Sequence, residues 1–436
     1  MWNNVFYATL ERIWMAATKV LWLALLARFL GPAGVGIFAL SIVSVNFASS
    51  LSTMGVEVSN NYYAARGIEN VPILLGNSSL LWLLSGGTVS LAVGGLVSLL
   101  RGSVFGSLPP SYTYWIAVAV FVQSAGGLTW GAGLGLGQFR QRAIGIFLQW
   151  SIFLALVAGL GFLGRLRVDH LLPIYTVGLL AASIYSFVSV VKVSGLRLRC
   201  DWKVFRQQLT YGSEAYFYNL CHLINFRLDF YFVATFYGAV AVGYYATATQ
   251  IAEGLSYLPA IFSNTVLTQT AWDAKESGRV HHRGVYWLVG SVLSVAAVLL
   301  IVIAGPLISI LFSARLLPAV PALRLLLPGT CCLGLGIVAS YQLFGLGRSS
   351  EPSVAAAAGM VCTLLLDFLL IPRWGIQGAA IASTVAYATF TVVAFYYLTQ
   401  HLKTSVVELL VPTRGGVIRE MRRVGLLKQI EGTTAR

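Results

Sequence analysis

Charge is scarce in this sequence. Only 10% of its 436 residues are Asp, Glu, Lys or Arg, while 57% are hydrophobic. A soluble domain of ordinary composition is about 25% charged, so a water-exposed globular protein is excluded. Sulfur and imidazole ligands are equally few. The five cysteines (Cys200, Cys221, Cys331, Cys332 and Cys362) show no metal-ligand spacing. Most fall in apolar stretches where a small polarizable side chain packs well, so neither a disulfide framework nor a metal site is expected. His281 and His282 are adjacent with no third ligand nearby, which makes them solvated loop residues. A Gly-rich nucleotide loop, a paired-carboxylate motif and any external connection longer than about a dozen residues are also missing. These absences argue against an enzyme, including a membrane polymerase or ligase with a large external loop, and call for no cofactor. Glu11 and Arg12 interrupt a first apolar stretch too long for a signal core, so this segment is expected to remain in the mature protein.

What is present is apolar length. A bilayer is crossed by about 20 mostly apolar residues. Such stretches recur near 5–28, 34–55, 77–100, 113–136, 143–163, 172–192, 211–236, 241–266, 285–312, 321–346, 352–371 and 376–399. Gly, Pro and charge punctuate them, as in LGPAG at 30–34, SLPPS at 107–111 and LIPRWG at 370–375. The expected fold is an all-α polytopic membrane protein of about twelve transmembrane helices.

The net charge of +14 invites a nucleic-acid reading, but its placement points elsewhere. With the N-terminus in the cytoplasm, connections on that side carry Arg66, Arg140, Arg142, Arg197, Lys203 and Arg348 among others, and so does the tail. The opposite side holds Arg28, Arg101, Arg165, Arg167, Arg315 and Arg373. The bias is about three to one, as the positive-inside rule requires. A multi-pass protein of the cytoplasmic (inner) membrane with both termini inside is expected, without a nucleic-acid partner. The basic tail, 406–436, either lies against anionic lipid headgroups or is solvated.

Self-similarity accounts for the even number of spans. ARFLGPAGVGIFA at 27–39 aligns without a gap on ATFYGAVAVGYYA at 234–246. Ala27, Phe29, Gly31, Val35, Gly36 and Ala39 coincide with Ala234, Phe236, Gly238, Val242, Gly243 and Ala246. A second echo, GLGQ at 135–138 against GLGR at 345–348, falls at nearly the same offset. Two matches in register at equivalent connections indicate a duplication into six-helix bundles, 1–200 and 201–405. An even number of spans per copy makes the repeats parallel, with a substrate path between them.

Ionisable residues inside spans are costly, about 2.5–3.5 kcal/mol each on insertion scales, and so face a partner or a wet cavity. On the seventh span Glu214, Tyr218, His222, Asn225 and Asp229 recur at spacings of four and three, which puts them on one stripe of a helix. The stripe is either a functional face or interhelical packing. Arg227 lies off it and cannot face Asp229 on the same helix. The first span supplies cations: Arg12 and Lys19 are two turns apart on one face, Arg12 in the cytoplasmic half and Lys19 near the middle. Across the central path of the duplicated fold these cations could confront the acidic stripe. Asn46 of the second span aligns with Glu253 of the eighth, polar in both copies; Gln123, Gln149 and Gln342 are expected to pack.

The order Asp229, FYG at 236–238, VGYYATA at 242–248, Glu253 and Pro259 resembles the lipid-linked oligosaccharide (O-antigen and polysaccharide) flippases. These belong to the multidrug/oligosaccharidyl-lipid/polysaccharide exporter superfamily. ARFLGPAGVGIFALS is similar to that family's opening pattern. The resemblance covers residues 1–405 and implies a two-lobed, V-shaped transporter working by alternating access. It implies a flippase for a polyprenyl-diphosphate-linked glycan in lipopolysaccharide, O-antigen or exopolysaccharide assembly, with a polysaccharide polymerase as a partner. Arg12 and Lys19 would receive the diphosphate, with Asn46, Tyr218, His222 and Asn225 also binding substrate. Asp229, Glu214 and Glu253 would couple transport to protons or sodium. The alternative is a cation-coupled multidrug or metabolite exporter, which would favour a mostly acidic cavity.

Overall fold

The computed structural model describes residues 2–67, 71–195, 198–276 and 283–410. His281, His282 and residues 411–436 of the basic tail lie outside them, as does the side chain of Glu214. Among the described residues the chain is helical throughout, without strands. The helices are α1 (Trp2–Phe29), α2 (Gly31–Thr53), α3 (Val56–Ala64), α4 (Val71–Leu81), α5 (Gly87–Leu99), α6 (Tyr112–Gly135) and α7 (Phe139–Phe162). They continue as α8 (Val168–Ser194), α9 (Trp202–Gly254), α10 (Tyr257–Glu276), α11 (Arg283–Leu311), α12 (Val320–Gly345), α13 (Ser350–Leu402) and α14 (Val406–Leu410).

The predicted spans fall on helix, except that 241–266 crosses a turn at Leu255 and Ser256 between α9 and α10. Two pairs run on with only a glycine between them: α9 breaks at Gly238 (φ 71°, ψ −174°) and α13 at Gly375 (φ 56°, ψ −135°). Glycine alone takes such angles cheaply. Eight segments among the described residues are long and apolar enough to cross a membrane by length and composition. Helix α1 is not one of them because Glu11, Arg12 and Lys19 interrupt it. In α9, tyrosines and the charges at Arg227 and Asp229 dilute the apolar run.

The repeated motifs have matching geometry. Gly31 and Gly238 both adopt a positive φ, 70° and 71°, and each ends one helix and opens the next. The second echo closes α6 and α12 identically. The amides of Leu136 and Leu346 bond back to Ala132 and Gln342 at 3.1 and 3.0 Å, and Gly137 and Gly347 follow at φ 74° and 76°. This is the left-handed glycine stop of a helix.

By packing, the chain divides into two compact units. One comprises Met1–Leu223, Phe230–Thr247 and Leu307–Pro318; the other comprises Ile224–Asp229, Ala248–Pro306 and Ala319–Arg436. Within the first, the two copies of the repeat motif touch reciprocally. A Cβ added to Gly36 would stand 1.9 Å from the Ala239 carbonyl oxygen, and one added to Gly243 would stand 2.0 Å from that of Pro32. Pro32 aligns with Ala239 as Gly36 aligns with Gly243, so the contact carries the pseudo-symmetry of the duplication. The core beside it is aromatic: Phe38 stacks on Phe153 at 4.8 Å, with the edges of Trp22 and Tyr175 against it.

A buried polar network binds the start of α9 into this unit. Gln208 donates to Asn60 (2.7 Å), Asn60 to Ser78 (2.8 Å), and Asn77 to Gln208 (2.8 Å). Asp201 caps α9 by accepting from the amides of Lys203 and Val204 at 2.8 and 3.1 Å. In the second unit, α12 and the later part of α13 interlock through threonine hydroxyls. Thr384 donates to the Leu325 carbonyl and Thr391 to that of Cys332, each at 2.7 Å.

Candidate functional site: a buried carboxylate pair

Asn225 and Asp229 are one turn apart on α9, and Thr363 and Asp367 are one turn apart on α13, so each pair shares a helix face. The faces meet in register. The Thr363 hydroxyl donates to Asn225 Oδ1, and Asp367 lies within electrostatic reach of Asp229. Ser383, beyond the Gly375 break, donates to Asp229 Oδ2 at 3.3 Å. All five side chains are buried, with Asp229 1% and Asp367 0% exposed. Neither oxygen of Asp367 receives a hydrogen bond among the described residues, and Asn225 Nδ2 has no acceptor. Two bare carboxylates this close and this dry would be costly. A proton, or a hard monovalent cation taking carboxylate, amide and hydroxyl oxygens, would offset that cost. No cluster of three or more His, Cys, Asp or Glu suited to a metal exists among the described residues.

The remaining predicted residues are dispersed. Tyr218 and His222 touch edge to face at 4.5 Å. They belong to the first unit, whereas Asn225 and Asp229 belong to the second, so the stripe is one helix face but not one cluster. Glu253 grips Arg227 through both oxygens, at 2.6 and 3.0 Å from Nη1 and Nη2. The arginine that had no partner on its own helix thus finds one beyond the Gly238 break. Asn46 Oδ1 accepts from Gln123 at 2.8 Å, so Gln123 orients a predicted substrate residue rather than only packing. Arg12 and Lys19 are half-buried on α1, and Arg12 has no ion-pair partner among the described residues. All five cysteines are free.

Sequence reasoning missed Asp367, Thr363 and Ser383. A signal existed for the first: Asp367 is the one acidic residue in the apolar stretch 352–371.

Ionisable groups held deep inside a helical membrane fold mark ion and substrate pathways in general, and this fold is that of a multi-pass membrane protein. Over 98% of its length the chain matches the lipid II flippase MurJ in its inward closed conformation, with a TM-score of 0.75, 16% identity and 93% of that chain covered. An inward-facing multidrug resistance MATE family transporter of the MOP superfamily matches over 92% of this chain and 96% of its own, with a TM-score of 0.64 and 15% identity. Identities this low establish the fold. The chain belongs to the polysaccharide biosynthesis protein family, whose model matches residues 1–268. An uncharacterized membrane protein of Methanocaldococcus jannaschii is 30% identical over 107 residues, 24% of this chain and 21% of that protein. The chain therefore spans about a fifth of that curated relative's length. These two structural neighbours are a flippase and a transporter.

Proposed function

We propose that this protein moves a polyprenyl-diphosphate-linked oligosaccharide from the cytoplasmic to the outer leaflet by alternating access, for assembly of a surface polysaccharide such as an O-antigen, lipopolysaccharide or exopolysaccharide. The observation that carries the reading is a cationic face on α1, Arg12 and Lys19, in a chain of the polysaccharide biosynthesis family. A diphosphate needs counter-charge to leave water. Arginine reads phosphate oxygens through two parallel bonds, and lysine acts as a point charge. Arg12 is nearer the leaflet where the lipid-linked glycan is made, and Lys19 lies two turns deeper. Asn46, Tyr218 and His222 offer hydrogen bonds and ring faces to the sugars. Asn225, bonded to Thr363, belongs with Asp229 and Asp367, which take the coupling proton or sodium ion; Glu214 extends the same helix face. Both termini lie on the cytoplasmic side of the inner membrane, and a polysaccharide polymerase receives the product.

The second reading is a cation-coupled multidrug exporter. The carboxylate pair favours it, and Arg12 and Lys19 oppose it. Transport of the lipid-linked glycan into inverted vesicles tests the choice. Lys19→Gln should cripple glycan uptake at normal expression, Lys19→Arg should retain part of it, and Asp367→Asn should remove its dependence on the ion gradient. Wild-type uptake by Lys19→Gln would refute the diphosphate route.

A further inference from the structure

We propose that Arg142 is the entry-side receptor for the diphosphate, and that Glu11 is its exchangeable counter-ion, displaced when a substrate phosphate arrives. The inference rests on the reading above and names the residue that first meets the headgroup.

Helices α1 and α7 lie side by side, with Trp14 against Phe147 at 4.5 Å between ring centroids. One turn earlier on α1, Glu11 Oε1 accepts from Arg142 Nε at 3.0 Å. Arg142 sits in the first turns of α7, which begins at Phe139. This places the pair at the same membrane level as Arg12, where a cytoplasmic-leaflet headgroup would enter.

Two of the arginine–carboxylate pairs among the described residues, both part-buried, differ in character. Arg227 and Glu253 form a fork, two nitrogens on two oxygens, with side chains 24% and 17% exposed. Arg142 and Glu11 meet at one point through Nε, with the arginine 32% exposed and the glutamate 11%. The Nη1 and Nη2 atoms of Arg142 have no hydrogen-bond acceptor among the described residues. A guanidinium presents its strongest anion-binding geometry as a fork of parallel N–H groups, and here the terminal fork is left over. The single Nε contact keeps the cation neutralised while the fork stays open.

One more charged group bears on this pair: Glu57 of α3 is within electrostatic range of Arg142. Arg12 follows Glu11 on α1 and points about 100° away from it around the helix, so it supplies a second cation at the same level of α1 without touching the pair. Two cations at one level match the two phosphates of a diphosphate better than the one of a monophosphate. Exchange of Glu11 for phosphate replaces one ion pair by another, so the guanidinium is never stripped of counter-charge. That exchange spares the guanidinium the desolvation penalty of a bare ion.

The test uses the purified full-length protein in nanodiscs, with geranylgeranyl diphosphate as the probe. Geranylgeranyl monophosphate and geranylgeraniol serve as comparisons, in phosphatidylcholine and in phosphatidylglycerol discs. The parent should bind diphosphate more tightly than monophosphate, and the alcohol not at all. Arg142→Gln should weaken the diphosphate about tenfold or more, a loss of about 1.4 kcal/mol or more, and Arg142→Lys should fall between. Glu11→Gln should tighten diphosphate binding, because it removes the competitor; a merely structural bridge would make the same change neutral or harmful. If the parent shows no preference for diphosphate, the diphosphate reading fails and this inference with it. If the parent does prefer it, but Arg142→Gln binds normally or Glu11→Gln binds no more tightly than the parent, this inference alone is overturned. Loss of the parent's binding in phosphatidylglycerol discs would assign Arg142 to bulk lipid headgroups and also overturn it.

Discussion

A single methyl group added at Gly36 should part the two copies of the repeat. The new Cβ would stand 1.9 Å from the Ala239 carbonyl oxygen and 2.7 Å from the Gly243 amide nitrogen. Both are backbone atoms and cannot rotate aside, so α2 and the Gly243 helix must separate by well over an ångström to reach ordinary contact. Overpacking of this kind costs about 1–3 kcal/mol. Rigid backbone on both sides puts Gly36→Ala near the upper end, at about 3 kcal/mol. Gly243→Ala should cost about the same, because its Cβ meets the Pro32 oxygen at 2.0 Å in the mirrored position. Once one methyl has parted the helices the second needs little further movement. The double variant should therefore lose much less than the sum of the two. Gly159→Ala on α7, with nothing within 4 Å of the added carbon, is the matched control. It should be neutral, or more stable by up to about 1 kcal/mol from helix propensity. Thermal unfolding of detergent-purified protein, followed by fluorescence-detected size exclusion, reads all four. A Gly36→Ala protein that melts with the parent, or full additivity in the double variant, would refute the reciprocal contact.

Other expectations are specific to charged groups. Glu253→Gln leaves Arg227 with half its fork unmatched and should cost about 3 kcal/mol, and a joint Arg227→Met, Glu253→Leu variant should recover most of it. Melting of the three proteins decides this, and a Glu253→Gln variant as stable as the parent would count against it. Glu57 lies past the α2 span, where burial pushes its carboxyl above the ordinary value of 4.5, opposed by the Thr53 hydroxyl and the charge of Arg142. Its folded state thus holds the proton more tightly than the unfolded chain. The stability it contributes is present below about pH 4.5 and is lost as the pH rises through the folded value. Glu57→Gln should accordingly melt with the parent in acid and above it at neutral pH. A constant difference across that window would exclude the titration.

The architecture was legible in the sequence wherever its cause is local. Apolar runs long enough for a bilayer announce the spans, and glycines at Gly31, Gly238, Gly137 and Gly347 announce the breaks because only glycine tolerates those backbone angles cheaply. The repeat could be read because both copies kept the same glycines. Helix periodicity also placed Asn225 and Asp229 on one face and set Arg227 apart from them, since spacing along one helix needs no knowledge of a second. What faces that stripe could not be read in this way. Thr363 is 138 residues from Asn225, and Glu253 reaches Arg227 from beyond the Gly238 break. Nothing along the chain records which helices lie side by side. The partnership of Asp229 with Asp367, the grip of Glu253 on Arg227 and the reciprocal approach of Gly36 and Gly243 were decided by tertiary packing alone. Only packing brings distant segments into one dry space, where an unmatched charge or an added methyl becomes costly.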